Sequence, residues 1–172
     1  MAPRHAKTIV NPNCPYSALI QRKLRYTGGD QIEEGRAIAQ DATTKKGRLA
    51  SHTDPVVFLN WLDTEEGSSI HEANNPFDKS SANTNIEAGG LSGIVGTGLP
   101  IDTPKTGLVW SNPASLAIDM YVVVHDNSPG DPDGLLEVLA SPRTGEPYFG
   151  RIIDIDGDRV WFTFNSTGMY NG

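Results

Sequence analysis

The clearest pattern of hydrophobic and polar positions lies near the end of the chain, from Gly145 to Phe164, in the stretch GEPYFGRIIDIDGDRVWFTF. Within it Val160, Phe162 and Phe164 occupy every second position, so that all three side chains share one face of an extended strand. Trp161 falls on the opposite face of the same strand. This period of two is typical of a strand that buries one face and leaves the other accessible.

The same stretch predicts a β-hairpin. Tyr148–Ile155 and Arg159–Phe164 are rich in β-branched and aromatic residues, and Asp156–Asp158 between them is a short turn sequence, Asp-Gly-Asp. Asp-Gly tolerates the positive φ angles that tight hairpin turns require. Ile153 and Ile155 alternate with a polar residue, which predicts that both point to the same face of the first strand.

Other short apolar segments separated by turn residues extend this pattern. Tyr16–Tyr26 fits either one helix face or a strand, and we favour extended chain. Pro55–Leu62 is a continuous apolar run of strand length, which indicates a core strand. In the turn at Asp41–Gly47, Gly47 is expected to supply a positive φ. Further strands are predicted at Ala37–Ala39, Gly47–Ala50, Leu108–Trp110, Met120–His125 and Leu135–Leu139.

These segments predict an all-β fold, a small antiparallel β-barrel or sandwich of about eight to ten strands. Residues 1–15 are polar and proline-containing and read as an extended N-terminal arm that Ile9 and Val10 anchor. Residues 16–172 then form a single β-domain. That domain is interrupted at residues 63–85 by a long polar excursion, a kind of segment that usually serves a function or contacts a partner.

Composition limits the classes of function. The 172 residues carry a net charge of −7, with nine Lys/Arg against five Asp/Glu over residues 1–60 and five against sixteen over residues 61–172. This weak basic end without interleaved aromatic residues argues against nucleic-acid binding. The sequence has no apolar run near the ~20 residues that cross a bilayer, so no membrane span is expected. The single cysteine, Cys14, excludes an internal disulfide and a multi-cysteine zinc site, and suits assembly in the cytosol.

Motifs for catalysis and cofactor binding are incomplete. The glycines between Gly89 and Gly98 suggest a phosphate loop, but Pro104 stands before Lys105 where that loop needs glycine. Ser92 lacks the second glycine of a nucleophile elbow. We therefore predict no catalytic residue, no cofactor and no metal site. The histidines have no ligand spacing along the chain; they are His5, His52, His71 and His125.

Two acidic turns leave one question of metal binding open. Asp126–Asp133 and Asp154–Asp158 each hold several carboxylates that can either bind calcium or simply form solvated turns. The second does not follow the EF-hand pattern, because Gly157 is at the wrong position of the loop.

Three features of the layout together resemble a family of viral proteins. They are the Gly-Asp-x-Ile to Gly-Arg-Leu-Ala series at residues 29–50, the closing ribbon with Phe149-Gly150-Arg151-Ile152, and the N-terminal arm. In this layout the chain resembles head decoration (cement) proteins of tailed bacteriophages. The resemblance implies a non-enzymatic virion structural protein that binds and stabilises the assembled phage capsid. It also implies that the partners are the major capsid protein, copies of the chain itself as a homo-oligomer on the capsid surface, or both.

The resemblance directs attention to residues that can contact other subunits. A basic arm can lie on an acidic capsid surface, and Trp161 is expected on a sheet face that another subunit covers. The predicted capsid or subunit interface residues are Arg4, Lys7, Arg22, Arg25, Tyr148 and Trp161. Other functions remain open: another virion component such as a head–tail connector or tail protein, a small SH3-like β-barrel binding module, or a β-rich hydrolase that uses the tryptophans and carboxylates.

Overall fold

The computed structural model describes residues 9–10, 20–24, 32, 35–60, 91–105, 108–109 and 115–171. This part of the chain is all-β, as predicted, and contains no α-helix. Its strands are β1 (Ile9–Val10), β2 (Ile20–Leu24), β3 (Ala37–Gln40), β4 (Gly47–Leu49), β5 (Phe58–Asn60), β6 (Leu91–Val95), β7 (Leu99–Pro104), β8 (Leu108–Val109), β9 (Tyr121–Val124), β10 (Leu136–Leu139), β11 (Gly150–Asp156) and β12 (Arg159–Phe164).

The strands form two sheets. A seven-stranded sheet has the order β1-β7-β12-β11-β9-β10-β8, and a five-stranded sheet has the order β2-β6-β5-β3-β4. Neighbouring strands are antiparallel except for β8 and β10, which are parallel. We predicted extended chain for Tyr16–Tyr26. This prediction is confirmed for the part that the structure describes, Ile20–Leu24, which forms β2.

The predicted hairpin is the centre of the larger sheet. β11 and β12 are antiparallel around a turn in which Gly157 has a φ of 56°, a left-handed conformation that glycine adopts without strain. Val160, Phe162 and Phe164 are all buried, which confirms the predicted inward face.

The first strand of this hairpin departs from simple alternation. The pairing of β11 with β12 shifts between Ile152 and Asp154, so that Ile153 has no partner across the ladder and forms a β-bulge. Ile152 is buried in the core, whereas the side chain of Ile153 is 45% exposed. The prediction that Ile153 and Ile155 point to the same face is therefore wrong: Ile155 packs against the core and Ile153 does not, because a bulge displaces the period of two by one residue.

The five-stranded sheet explains the continuous apolar run that begins at Pro55. In β5, Leu59 packs into one hydrophobic cluster while Phe58 packs into a second, together with Ile38 of the neighbouring strand. Both faces of β5 are thus buried. A strand that is buried on both faces has a nearly continuous apolar sequence instead of an alternating one.

The main hydrophobic core lies between the two sheets. It joins Leu59 and Ile94 of the smaller sheet to Ile101, Val122 and Phe162 of the larger one in a single cluster of buried side chains. Neither sheet closes on itself among the described residues, so the architecture is sandwich-like and the barrel alternative is wrong.

The β3–β4 turn differs from the prediction in the position of its positive φ angle. In the β3–β4 turn the residue with a positive φ is Lys45, at 61°, and not Gly47 as expected. Asp41 accepts hydrogen bonds from the backbone of Thr43 and Thr44, at 3.0 and 2.6 Å, and these contacts close the turn. The pKa of the Asp41 carboxyl is lowered, mainly because Thr44 donates hydrogen bonds to the ionised carboxylate.

The structure describes only residues 9–10 of the predicted arm and none of the predicted excursion. Ile9 and Val10 pair with Asp102 and Ile101 at the edge of the larger sheet, so this part of the predicted arm is held by β7. The rest of residues 1–15 and the excursion at residues 63–85 lie outside the described residues, and the predictions about them stay predictions.

Candidate interaction surface

The outer face of the larger sheet carries a group of aromatic, aliphatic and arginine side chains. We call it the Tyr–Arg patch and define it as Ile118, Tyr121, Tyr148, Arg151 and Ile153. All of them are at least partly accessible, and Ile118 is 62% exposed. Exposed aliphatic side chains that lie beside tyrosines and an arginine form a candidate interaction surface.

Arg151 organises the polar half of the patch. Its Nη1 donates to Asp119 Oδ1 at 2.6 Å, and its Nη2 donates to the Tyr121 hydroxyl at 2.9 Å. The guanidinium carbon lies 4.3 Å from the centre of the Tyr121 ring, which is a cation–π distance. The hydrogen bond from Arg151 to Asp119 raises the pKa of the guanidinium, so the side chain stays charged at any physiological pH.

The two tyrosines hold each other in place. Their ring centres are 5.0 Å apart and their planes meet at 85°, the edge-to-face geometry that aromatic pairs prefer. Tyr121 belongs to β9, whereas Tyr148 precedes β11 and exchanges backbone hydrogen bonds with Met169 at 2.8 Å in both directions. Side chains from separate segments are therefore fixed before any partner arrives, which lowers the entropy cost of binding.

The aliphatic members owe their exposure to the backbone. The bulge at Ile153 turns its side chain out of the core, and Ile118 lies in the loop before β9, next to Asp119, whose φ is 74°. The backbone N–H of Asp119 donates to the carbonyl of Ile152 at 2.8 Å, which ties this loop to β11. A non-glycine residue in the left-handed region is uncommon, although aspartate tolerates it better than most, and here it positions the partner of Arg151.

Four members of the patch, Ile118, Tyr148, Arg151 and Ile153, line a shallow groove of about 470 Å³ together with other residues that include Thr163, Asn165 and Met169. Its walls offer tyrosine, arginine and isoleucine side chains together with one paired carboxylate, Asp119. Tyrosine and arginine are the residue types that contribute most to the centres of protein–protein interfaces. The arrangement is suited to docking another protein surface.

The six predicted interface residues are not brought together. Tyr148 lies in the Tyr–Arg patch, and Trp161 lies on the outward-facing side of β12, two residues from Thr163 at the groove. Arg22 belongs to β2, an edge strand of the other sheet. Arg4, Lys7 and Arg25 lie outside the described residues.

In the first acidic turn, Asp126–Asp133, the carboxylates of Asp126 and Asp133 have separate partners. Asp133 Oδ1 accepts from the backbone of Leu135 at 2.9 Å and its Oδ2 lies 2.8 Å from His125 Nδ1, whereas Asp126 Oδ1 accepts from the backbone of Ser128 at 2.9 Å. Within the described ranges, neither Asp126–Asp133 nor Asp154–Asp158 gathers three carboxylates at cation-ligating distances.

Sequence reasoning missed four members of the patch: Ile118, Tyr121, Arg151 and Ile153. Alternation through the strand at Met120–His125 places Tyr121 on the face opposite to Val122 and Val124, which pack in the core between the sheets. The exposure of Ile153 had no such signal, since the bulge that causes it arises from pairing with β12.

Comparisons with known proteins identified no relative of this chain. The residues that the structure describes include no helix that is long and apolar enough to span a membrane. No protein-family model matches the chain, and comparisons with curated proteins and with solved structures found no significant similarity.

Proposed function

We propose that the chain is a non-enzymatic virion structural protein that binds and stabilises the assembled phage capsid. The observation that carries this proposal is the Tyr–Arg patch, a preorganised surface of interface-type residues on a sheet face. The layout that resembles capsid decoration proteins supplies the choice of partner. In this proposal the major capsid protein contacts the patch, and further copies of the chain are neighbours on the capsid surface.

The charge distribution supports the same arrangement. The net negative charge of residues 61–172 keeps decorated particles apart in solution, while the basic residues of the first part of the chain attract an acidic capsid surface. The Arg151–Asp119 pair is formally neutral, so the patch itself can be covered without leaving an unpaired charge buried. Host cytoplasm is the place of assembly in this proposal, and the mature virion is the final location.

The decisive experiment uses heads of the encoding phage assembled without this chain, mixed with the purified full-length protein and sedimented. We expect saturable binding at a copy number that matches capsid symmetry. Tyr148→Ala is expected to weaken binding about 30-fold, since truncating an interface hot spot costs about 2 kcal/mol. Arg151→Gln, which removes the charge and the contacts with Asp119 and Tyr121, is expected to weaken it to a similar degree.

Tyr170→Ala is the matched control, because Tyr170 is a tyrosine with 53% exposure that does not line the groove. This variant should bind like the wild type, and circular dichroism should show that all variants remain folded. Normal binding by both Tyr148→Ala and Arg151→Gln would mean that the patch is not the interface. Absence of saturable binding by the wild type would refute the decoration proposal, and binding confined to the tail vertex would favour a head–tail connector.

The SH3-like binding module loses its structural basis, because the described sheets do not close into a barrel. A tail or connector role rests on the same surface as the decoration role and differs from it in the number and position of the copies. The sedimentation experiment therefore separates them.

A further inference from the structure

Three loops bring a histidine and two carboxylates together at a place that the spacing of the sequence does not reveal. His52 lies between β4 and β5, Asp126 follows β9, and Glu146 precedes β11. His52 Nδ1 is 3.2 Å from Asp126 Oδ1, and His52 Nε2 is 3.9 Å from Glu146 Oε1. We call these three residues the His52 cluster. None of them lines the groove of the Tyr–Arg patch.

We propose that the His52 cluster binds a divalent transition-metal ion, with Zn²⁺ as the preferred ion. One ligand atom from each of the three residues lies within 4.8 Å of the others. Tetrahedral Zn²⁺ with bonds of about 2.0–2.1 Å holds its ligand atoms about 3.3 Å apart. The separation between His52 Nδ1 and Asp126 Oδ1 fits this geometry. The short contact of Glu146 is with the other ring nitrogen, Nε2, so the Glu146 side chain must rotate toward Nδ1 to bind the same ion.

The loops that carry the ligands are themselves held. Arg48 makes two contacts with Asp54, at 2.6 and 2.7 Å, and the Asp54 carboxylate also accepts from the backbone of Ser51 at 2.7 Å. These contacts fix the loop on both sides of His52. The backbone N–H of Ser128 donates to Asp126 Oδ1 at 2.9 Å, which holds this carboxylate in place.

Glu146 divides its two oxygens between different partners. Oε2 faces Arg143 Nη1 at 3.4 Å, and Oε1 faces His52. Arg143 also donates to Glu137, so these two side chains form a neutral pair behind the site. Asp126 and Glu146 then supply two negative charges that balance one divalent cation. Such outer contacts orient the ligands of metal sites in general.

A small cavity beside the cluster provides room for a water ligand. It has a volume of about 50 Å³ and is lined by His52, His125 and Ser51 among others. A cavity of this size admits a water molecule, which can take the fourth coordination position that three protein ligands leave open. The imidazole among the ligands favours Zn²⁺ and neighbouring transition metals over Ca²⁺ and Mg²⁺, which prefer oxygen.

The site would connect the two sheets, because His52 belongs to a loop of the smaller sheet and both carboxylates belong to loops of the larger one. An ion that binds the folded chain and not the unfolded one raises stability by an amount that grows with the logarithm of the free ion concentration above the dissociation constant. The expected consequence is a zinc-dependent rise of the melting temperature.

The test starts from the full-length protein stripped with a chelator, dialysed and titrated with ZnCl₂ by calorimetry, with bound zinc counted by elemental analysis. The wild type is expected to bind zinc at this site, and His52→Ala is expected to bind one ion fewer per chain. Glu146→Gln, which preserves shape and removes the charge, should weaken zinc binding at least tenfold. Titration with CaCl₂ should give much weaker binding.

His125→Ala is the matched control, because His125 lines the same small cavity but pairs with Asp133 at 2.8 Å and is not a member of the cluster. It should keep both the zinc stoichiometry and the zinc-dependent rise in melting temperature, and His52→Ala should lose that rise. The proposal is overturned if the wild type binds no zinc, or if His52→Ala and Glu146→Gln bind it as the wild type does. Equal loss in the His52 and His125 variants would overturn it as well.

Discussion

Phe162→Ala is expected to lower the free energy of unfolding by about 3–5 kcal/mol, as truncations of fully buried phenylalanine generally do. Phe162 has no exposed surface and packs in the cluster that joins the two sheets. Its replacement leaves a cavity between the sheets, which the antiparallel ladders on both sides of β12 prevent from collapsing. Urea denaturation of the purified chain measures this loss.

The neighbouring residue provides the control for that measurement. Trp161 is the larger side chain, but it lies on the outward face of β12 and is only partly buried. Trp161→Ala should therefore cost clearly less than Phe162→Ala, even though it removes more atoms. A loss for Trp161→Ala equal to or above that for Phe162→Ala would mean that the inward and outward faces of the strand are exchanged.

Gly150→Ala is expected to be the second severe substitution. A Cβ at this position would lie 1.6 Å from the carbonyl oxygen of Thr163 and 2.8 Å from its carbonyl carbon. Both atoms belong to the backbone of β12, so no side-chain rotation relieves the clash and the two strands must separate locally. Overpacking costs about 1–3 kcal/mol when side chains can adjust, and here we expect the upper end of that range or more.

Gly157→Ala separates this steric effect from the ordinary cost of replacing glycine. At Gly157 the added Cβ meets nothing within 4 Å, and only the positive φ of 56° penalises alanine, by about 1–2 kcal/mol. Denaturation of the two variants side by side should show the larger loss at Gly150. Equal losses would indicate that β11 and β12 do not approach each other as closely as the structure describes.

Local pattern was sufficient for much of the larger sheet. The alternation of Val160, Phe162 and Phe164 predicted the inward face of β12, and Asp-Gly-Asp predicted the turn before it, because strand period and turn chemistry are properties of a few adjacent residues. The prediction for Ile153 was wrong for the complementary reason. A bulge depends on how two strands pair, and the sequence of one strand does not contain that information.

In each of the two candidate sites, some features were predictable from the sequence and others depend on tertiary contacts. Tyr148 was predicted as an interface residue from the chain alone, but its contact with Tyr121 and the common groove with Arg151 depend on the neighbouring positions of β9 and β11. The His52 cluster is a stronger case. Its members are separated by 74 and 20 residues along the chain, so no spacing rule for metal ligands can detect them.

The sequence by itself determined that this protein is all-β, where most of its strands and turns lie, and which side of its last strand is buried, since each of these follows from local periodicity and composition. Only the tertiary structure decided that the strands form two open sheets packed as a sandwich, that Ile153 is exposed, and that His52 meets Asp126 and Glu146. These outcomes depend on pairing and packing between residues far apart in the chain, and local sequence carries no record of such long-range contacts.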